Sequence, residues 1–252
     1  MTQHARPDPA RTPSRNDQVR PGPAPSGFAE FPLAAAARRY VRRLASPATW
    51  PRRPRELVPW WTVVSAALSP VVVTAGWLVA DAVQPAPYNP VRKTVSVMAG
   101  HAGTDRWIMT GALFLAGACQ LATAAGLAGV RLRASIVLAV AGLSSIGIAA
   151  SPEPVRGSTP QHVAWTSLGA VTIAIWPALA ARRGPPRSLI LSSYGRTVVT
   201  AVFIALLGWL VIETQGGSDL GLVERLFLSA ETCWPFIVAV SLRRITPPAY
   251  AP

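Results

Sequence analysis

Two carboxylates lie in the last apolar segment of the chain, GLVERLFLSAETCWPFIVAVSL. Glu224 and Glu231 are seven residues apart, so they share one face if the segment is an α-helix. At 1.5 Å per residue, Glu231 is about 14 Å along the segment from Leu222, which is close to the middle of a bilayer. A charged side chain at that depth costs roughly 2.5–3.5 kcal/mol on insertion scales. We therefore expect Glu231 to be protonated, paired or facing a wet cavity.

Glu231 admits two interpretations. Pro235 follows it by four residues and leaves the Glu231 carbonyl without its usual helical partner, so the segment could form part of a proton or cation path. Alternatively, Glu231 only holds helices together by hydrogen-bonding a neighbouring one. Its possible partners there are Gln120, Ser144 and Thr166.

Histidines and carboxylates also collect in the polar segments between the apolar blocks. His101 and His162, with Asp81 or Asp105, could bind zinc and leave an open position for water, as in a catalytic zinc site. The sequence contains no compact HExxH motif. The same side chains could instead hydrogen-bond the loops into a cap, or bind an external ligand or lipid headgroup. Glu224 and Arg225 are expected to form an interfacial ion pair or to contact the outer loops. The candidate ligand-binding residues are Ser96, His101, His162, Glu224, Arg225 and Glu231.

The elements that position these residues are expected to be membrane-spanning helices. Half of the 252 residues are hydrophobic and 14% are charged, against roughly 25% charged in soluble domains. The apolar residues form blocks long enough to cross a hydrocarbon core. The chain is therefore predicted to be all-α, an integral membrane six-helix bundle at 60–244. The predicted spans are 61–83, 107–130, 134–151, 162–181, 197–214 and 222–242.

Basic residues set the expected orientation. The formal net charge is +13. Nineteen Lys and Arg residues fall in the N-terminal tail, the turn at 131–133, the loop at 182–196 and the C-terminal tail, against four in the alternate loops. By the positive-inside rule, both termini should be cytoplasmic in a multi-pass protein of the cell membrane. The loops that carry His101 and His162 should then face outward.

The N-terminal region differs in composition from the spans. Residues 1–32 are rich in Pro and Arg and are predicted to be a disordered, basic cytoplasmic tail. Within 33–59, an amphipathic interfacial helix at 33–46 precedes a Pro-rich linker. Anionic headgroups of membrane lipids are the expected partner of this basic segment. No nucleic-acid partner is expected, and 245–252 is predicted to be a short cytoplasmic tail.

Small and aromatic residues predict how the spans pack. Ala118, Ala122 and Gly126 repeat every four residues, as do Ala141, Ser145 and Ala149, and small residues at this spacing let helices approach closely in lipid. Tryptophans near the span ends are expected to anchor at the headgroup level. They are Trp60, Trp61, Trp77, Trp107, Trp165 and Trp176.

Several stretches also carry a resemblance to a known family. They are QPAPYNPVRKTVSVMAGHAGTDRWIM, the following GALFLAGACQLATAAGL, Gly157–Ser158 with His162 and Trp165, and the closing GLVERLFL. In this order they resemble the bacterial domain-of-unknown-function 998 family of multi-pass membrane proteins. One departure is Ser151-Pro152-Glu153-Pro154, where the family pattern carries Asp after Phe-Pro. The resemblance implies an integral protein of six or seven helices and no particular reaction.

Three functions follow as hypotheses. The first, which the sequence favours, is a non-enzymatic protein that binds a lipid or small ligand at an outward-facing polar pocket, or assists a membrane complex, without a cofactor. The second is a membrane-embedded hydrolase of lipid-like substrates that uses zinc. The third is a small proton-coupled transporter with Glu231 as relay. The sequence leaves the ligand and the oligomeric state open.

Overall fold

The computed structural model describes residues 58–180 and 191–245, and these residues form helices joined by loops and turns. The predicted tail at 1–32, the predicted interfacial helix at 33–46 and almost all of the linker and C-terminal tail lie outside the described residues. Seven helices are present in the described part of the chain. They are α1 (Trp60–Ala82), α2 (Val95–Ala99), α3 (Trp107–Leu127), α4 (Leu132–Ala150), α5 (Pro160–Leu179), α6 (Ser193–Glu213) and α7 (Leu220–Ile245).

Six of these helices are long and apolar enough to cross a membrane. They confirm the six predicted spans, and the ends differ from the prediction by a few residues. The sequence did not predict α2, a five-residue helix inside the loop between α1 and α3. The long helices pack as a ring in chain order, because each contacts its successor and α7 returns to α1.

The two ends of this ring carry different connections. The loops at 83–106, 151–159 and 214–219 lie at one end, which we name the long-loop end. Here α2 packs its buried Met98 against Met109 of α3 and Ala80 of α1, which fixes the long loop on the bundle. The candidate site residues collect at this end and in the half of the ring beneath it.

Small residues do bring α3 and α4 together, but not all of them are those that were predicted. A Cβ added to Gly117 would strike the backbone of Gly142, so these two glycines mark the closest approach. Ala118 is exposed, and its assignment to the interface is wrong. The contact face of α3 is shifted by one residue, because Leu113, Gly117 and Gln120 point inward.

Trp176 also departs from its expected role. Its side chain is fully buried, and its indole Nε1 donates to the carbonyl of Ala134 at 2.7 Å. Trp60 and Trp107, in contrast, are 62% and 68% exposed, as headgroup anchors should be. Trp176 is therefore a core residue that joins α5 to α4, because a buried indole needs an acceptor for its N–H and a carbonyl oxygen has two lone pairs, one of which remains available within a helix.

Candidate functional site

Arg225 fastens the long loop to the first turns of α7. Its Nη1 donates to the carbonyl oxygens of Pro90 at 2.7 Å, Lys93 at 2.8 Å and Gly221 at 3.0 Å. The loop backbone lies so close to α7 that a Cβ at Gly221 would strike the carbonyls of Pro90 and Lys93. Leu222 adds a backbone bond to Val91 at 3.0 Å. Because residue 221 is a glycine, the loop backbone can lie close to α7, and the hydrogen bonds of the Arg225 guanidinium hold it there.

The other side of the same guanidinium joins α7 to α1. Arg225 Nη2 donates to Asp81 Oδ1 at 2.8 Å and to the Tyr88 hydroxyl at 2.9 Å. The guanidinium carbon also lies 5.5 Å from the centre of the Trp77 ring. Because Arg225 is only 7% exposed, its charge is compensated inside the protein. Both Nη groups are thus committed to the fold, although the sequence had placed Arg225 among the ligand-binding candidates.

Tyr88 gives this cluster a measurable pH dependence. Burial raises the pKa of its phenol from about 10 to about 12, and the charge of Arg225 opposes part of that rise. The native state therefore keeps a proton that the unfolded chain releases above pH 10. We expect stability to be constant with respect to this group below pH 10 and to fall between pH 10 and 12. Thermal unfolding in detergent across this range, with Tyr88→Phe beside the wild type, measures it. A wild-type slope that Tyr88→Phe leaves unchanged would contradict the assignment.

Glu224 holds the start of α2. Its Oε2 accepts from the backbone N–H of Val95 at 2.7 Å, and its Oε1 accepts from the Ser96 hydroxyl at 3.3 Å. The first N–H groups of a helix lack intrahelical partners and favour a nearby negative charge. The Glu224 carboxylate supplies both a hydrogen-bond acceptor and that charge. Two predicted site residues, Ser96 and Glu224, therefore meet in one contact.

His162 joins α5 to the loop at 151–159. Thr159 caps α5, since its hydroxyl accepts from the His162 N–H at 3.2 Å, and this places the ring in the first turn. The ring Nδ1 lies 2.7 Å from the Ser151 carbonyl, which can only accept, so Nδ1 carries a proton. Nε2 then faces Glu153 Oε1 at 3.5 Å. The imidazole and the Glu153 carboxylate thus face each other across the start of α5.

A cavity of about 480 Å³ runs from these polar contacts into the membrane-spanning region. Polar groups line its mouth, where Ser96, Glu153, His162 and Glu224 meet. Apolar side chains from five of the long helices form most of the deeper wall. They are Leu113 of α3, Ile148 of α4, Val163 and Ala170 of α5, Leu207, Leu210 and Val211 of α6, and Phe227 and Leu228 of α7.

Glu231 lines the cavity two helical turns beyond Glu224, about 10.5 Å farther along α7. It makes no hydrogen bond or ion pair with any other residue in the described ranges. None of its three predicted partners bonds it. Ser144 donates to the Val140 carbonyl, and the Gln120 Oε1 and the Thr166 hydroxyl are buried without a partner in these ranges. Thr166 also lines the cavity. The structure therefore places a carboxylate and a hydroxyl in an apolar chamber with unused hydrogen-bonding capacity.

The residues that were predicted to bind zinc make contacts with different partners. Asp81 pairs with Arg225, and His162 with Ser151 and Glu153. His101 meets Glu153 through its backbone, at 2.8 Å, while its exposed side chain and that of Asp105 do not line the cavity. Within 58–180 and 191–245, no three His, Cys, Asp or Glu side chains are grouped to hold a metal ion. The zinc site stays a prediction.

Three residues and one helix of the site were not among the predicted site features: Glu153, Tyr88, Thr166 and α2. Glu153 and Tyr88 stand in Pro-rich loops, where the sequence gives no periodicity that would place them, and α2 is too short for a periodic pattern to identify. Thr166 lies four residues after His162, so helical spacing did place the two on one face of α5. That spacing was the available signal for a polar track leading inward from His162.

Comparison with known proteins gives one match. The family model described as "Protein of unknown function (DUF998)" matches residues 66–241, which include every described residue that lines the cavity. No curated protein and no solved structure matches the chain.

Proposed function

This chain belongs to the DUF998 family of proteins of unknown function, and we propose that it binds a small amphiphilic molecule, a lipid or a lipid-like compound, in the cavity beneath the long-loop end. The observation that carries the proposal is the pairing of an apolar chamber with Glu231, which has no partner among the described residues. Small-molecule sites are concave and mostly apolar, with a few placed polar groups.

The dimensions of the cavity support this proposal. Its volume of about 480 Å³ falls within the roughly 300–1,000 Å³ that is typical of ligand sites. The ionisable groups are concentrated at the mouth and at Glu231, while the rest of the wall is mostly aliphatic and carries a few hydroxyl groups, among them that of Thr166. An amphiphile matches such a distribution, because its chain can cover the wall while its polar end satisfies a polar group.

The cavity also offers a route from the bilayer. Val163 of α5 and Val211 of α6 line it and are 51% and 53% exposed, so the α5–α6 edge opens between two apolar side chains. Phe203 is the one buried residue of α6. Its ring meets the ring of Phe227 of α7 edge-on, and the two ring centroids are 6.4 Å apart. A helix held by so few buried side chains can separate from α5 at low cost.

The distribution of basic residues extends the proposal to topology. Because the long-loop end carries few Lys and Arg, we assign it to the outer face of the cell membrane, with both termini in the cytoplasm. The cavity mouth would then receive molecules from the outer leaflet. The carboxylates and His162 at the mouth act as binding and positioning groups in this proposal, and no reaction is assigned to them.

Photo-crosslinking tests the proposal on the full chain in phosphatidylcholine nanodiscs. The probe is dodecanol with a diazirine near the end of its chain. We expect adducts on the cavity wall, at Leu207–Val211 and Phe227–Leu228, and we expect excess unlabelled dodecanol to suppress them. Exposed side chains of α1, such as Val71, provide the matched lipid-facing surface, where labelling should not saturate. Labelling that is confined to such surfaces would overturn the proposal.

A further inference from the structure

The residues that line the cavity also indicate the charge of its ligand. We infer that the ligand is a cationic amphiphile, a long-chain amine or a related nitrogen cation, whose positively charged nitrogen binds Glu231 and whose chain lies toward the α5–α6 edge. This inference rests on the proposed function and names its ligand class.

The ionisable residues of the cavity are predominantly acidic. Among the described residues, those that line it are Glu153, His162, Glu224 and Glu231, and no Lys or Arg lines it. An anionic headgroup would meet three carboxylates and no fixed cation. A zwitterionic phospholipid would bring a phosphate that has no basic partner here, and a buried phosphate without a partner is strongly disfavoured. A ligand with a positive charge and no negative one fits the lining best.

The other acidic groups are already engaged, which identifies Glu231 as the anchoring point. Glu153 faces His162 at 3.5 Å, and Glu224 accepts from Val95 and Ser96. Glu231 has no such partner in the described ranges, and the residues next to it on the same face of α7, Phe227 and Leu228, are apolar. A carboxylate in apolar surroundings gains most from an ammonium group that donates hydrogen bonds and compensates its charge.

Thr166 adds a second acceptor to the same chamber. Its hydroxyl oxygen is buried without a partner among the described residues, and the residue lines the cavity together with Glu231. An ammonium has several N–H donors, so it can satisfy a carboxylate and a hydroxyl at once. A neutral alcohol has a single O–H, so it can donate to only one of the two oxygens and carries no charge to compensate the carboxylate.

Binding of three molecules that share one chain tests the inference. Dodecylamine, dodecanol and dodecanoic acid are titrated against the full chain in phosphatidylcholine nanodiscs, with empty nanodiscs as background. We expect dodecylamine to bind about tenfold tighter than dodecanol, since a hydrogen bond to a charged group contributes more to affinity than a neutral one. Dodecanoic acid should bind most weakly. Glu231→Gln should abolish the preference for the amine while dodecanol binding is retained, and Glu231→Asp should keep the preference.

Glu213→Gln is the matched control, because it removes the same charge from a glutamate of α6 that does not line the cavity. It should leave the preference for the amine intact. Equal affinity of the wild type for amine and alcohol, or a preference that survives Glu231→Gln, would overturn the inference and leave the proposed function standing. If none of the three molecules bound saturably to the wild type, the proposed function itself would fall.

Discussion

Replacing Arg225 by methionine is expected to lower the free energy of unfolding by about 3–5 kcal/mol, the usual loss when one partner of a buried ion pair is removed. Methionine keeps the unbranched, apolar first part of the side chain but is shorter, and it makes none of the hydrogen bonds of arginine. Asp81 would be left as a largely buried carboxylate without its cation, and the carbonyls of Pro90 and Lys93 would lose their donor. The loop at Pro90–Lys93 should then be held less firmly against α7, while Glu224 still binds the start of α2.

Thermal or chemical unfolding in a mild detergent measures this loss. Arg225→Lys should also be strongly destabilising, because an ammonium cannot reproduce the planar fork that reaches both the carbonyls and Asp81. Asp81→Asn combined with Arg225→Met should cost less than the sum of the two single changes. The control is Arg156→Met, at an exposed arginine of the loop at 151–159. A stability of Arg225→Met equal to that of this control would refute the structural role of the guanidinium.

Filling the cavity should abolish binding without unfolding the protein. Ala170 lies on α5 eight residues after His162 and lines the cavity, so a phenylalanine there would project its ring into the space that the ligand uses. We expect Ala170→Phe to weaken dodecanol binding by about tenfold or more, equivalent to about 1.4 kcal/mol or more. The existing space should accommodate the ring, so thermal stability should change little.

Ala164→Phe separates blockage of the cavity from a general effect of an added ring. Ala164 is on the same helix, is exposed and does not line the cavity. The Ala164→Phe variant should bind dodecanol as the wild type does. If Ala170→Phe kept wild-type affinity while remaining folded, the ligand would not occupy this part of the cavity. If Ala164→Phe lost affinity equally, the effect would not be specific to the chamber.

The membrane-spanning helices could be predicted because bilayer thickness imposes a length and a composition on each segment. The depth of Glu231 followed from the same rule, since helical rise converts residue number into distance. The sequence could not decide between a bonded and an open Glu231. That outcome depends on which helices separate, and the gap among α4, α5, α6 and α7 arises from packing that no single segment encodes.

A contact of Arg225 with the outer loops could be predicted from the sequence, but the groups that accept its hydrogen bonds could not. Its acceptors are main-chain carbonyls at Pro90 and Lys93, more than 130 residues away, and every residue has a carbonyl. Only the folded loop reveals which ones converge. Trp176 and Ala118 show a similar limit, because proximity to a span end or four-residue spacing does not determine which way a side chain faces.

Native mass spectrometry of the full chain, released from mild detergent, tests the central claim most directly. We expect the wild type to retain one bound amphiphile per chain and Ala170→Phe to lose it, with Ala164→Phe resembling the wild type. The mass and fragmentation of the retained molecule would identify its class. A wild-type chain that carries no bound molecule, or one that Ala170→Phe retains equally, would contradict a ligand in the cavity beneath the long-loop end.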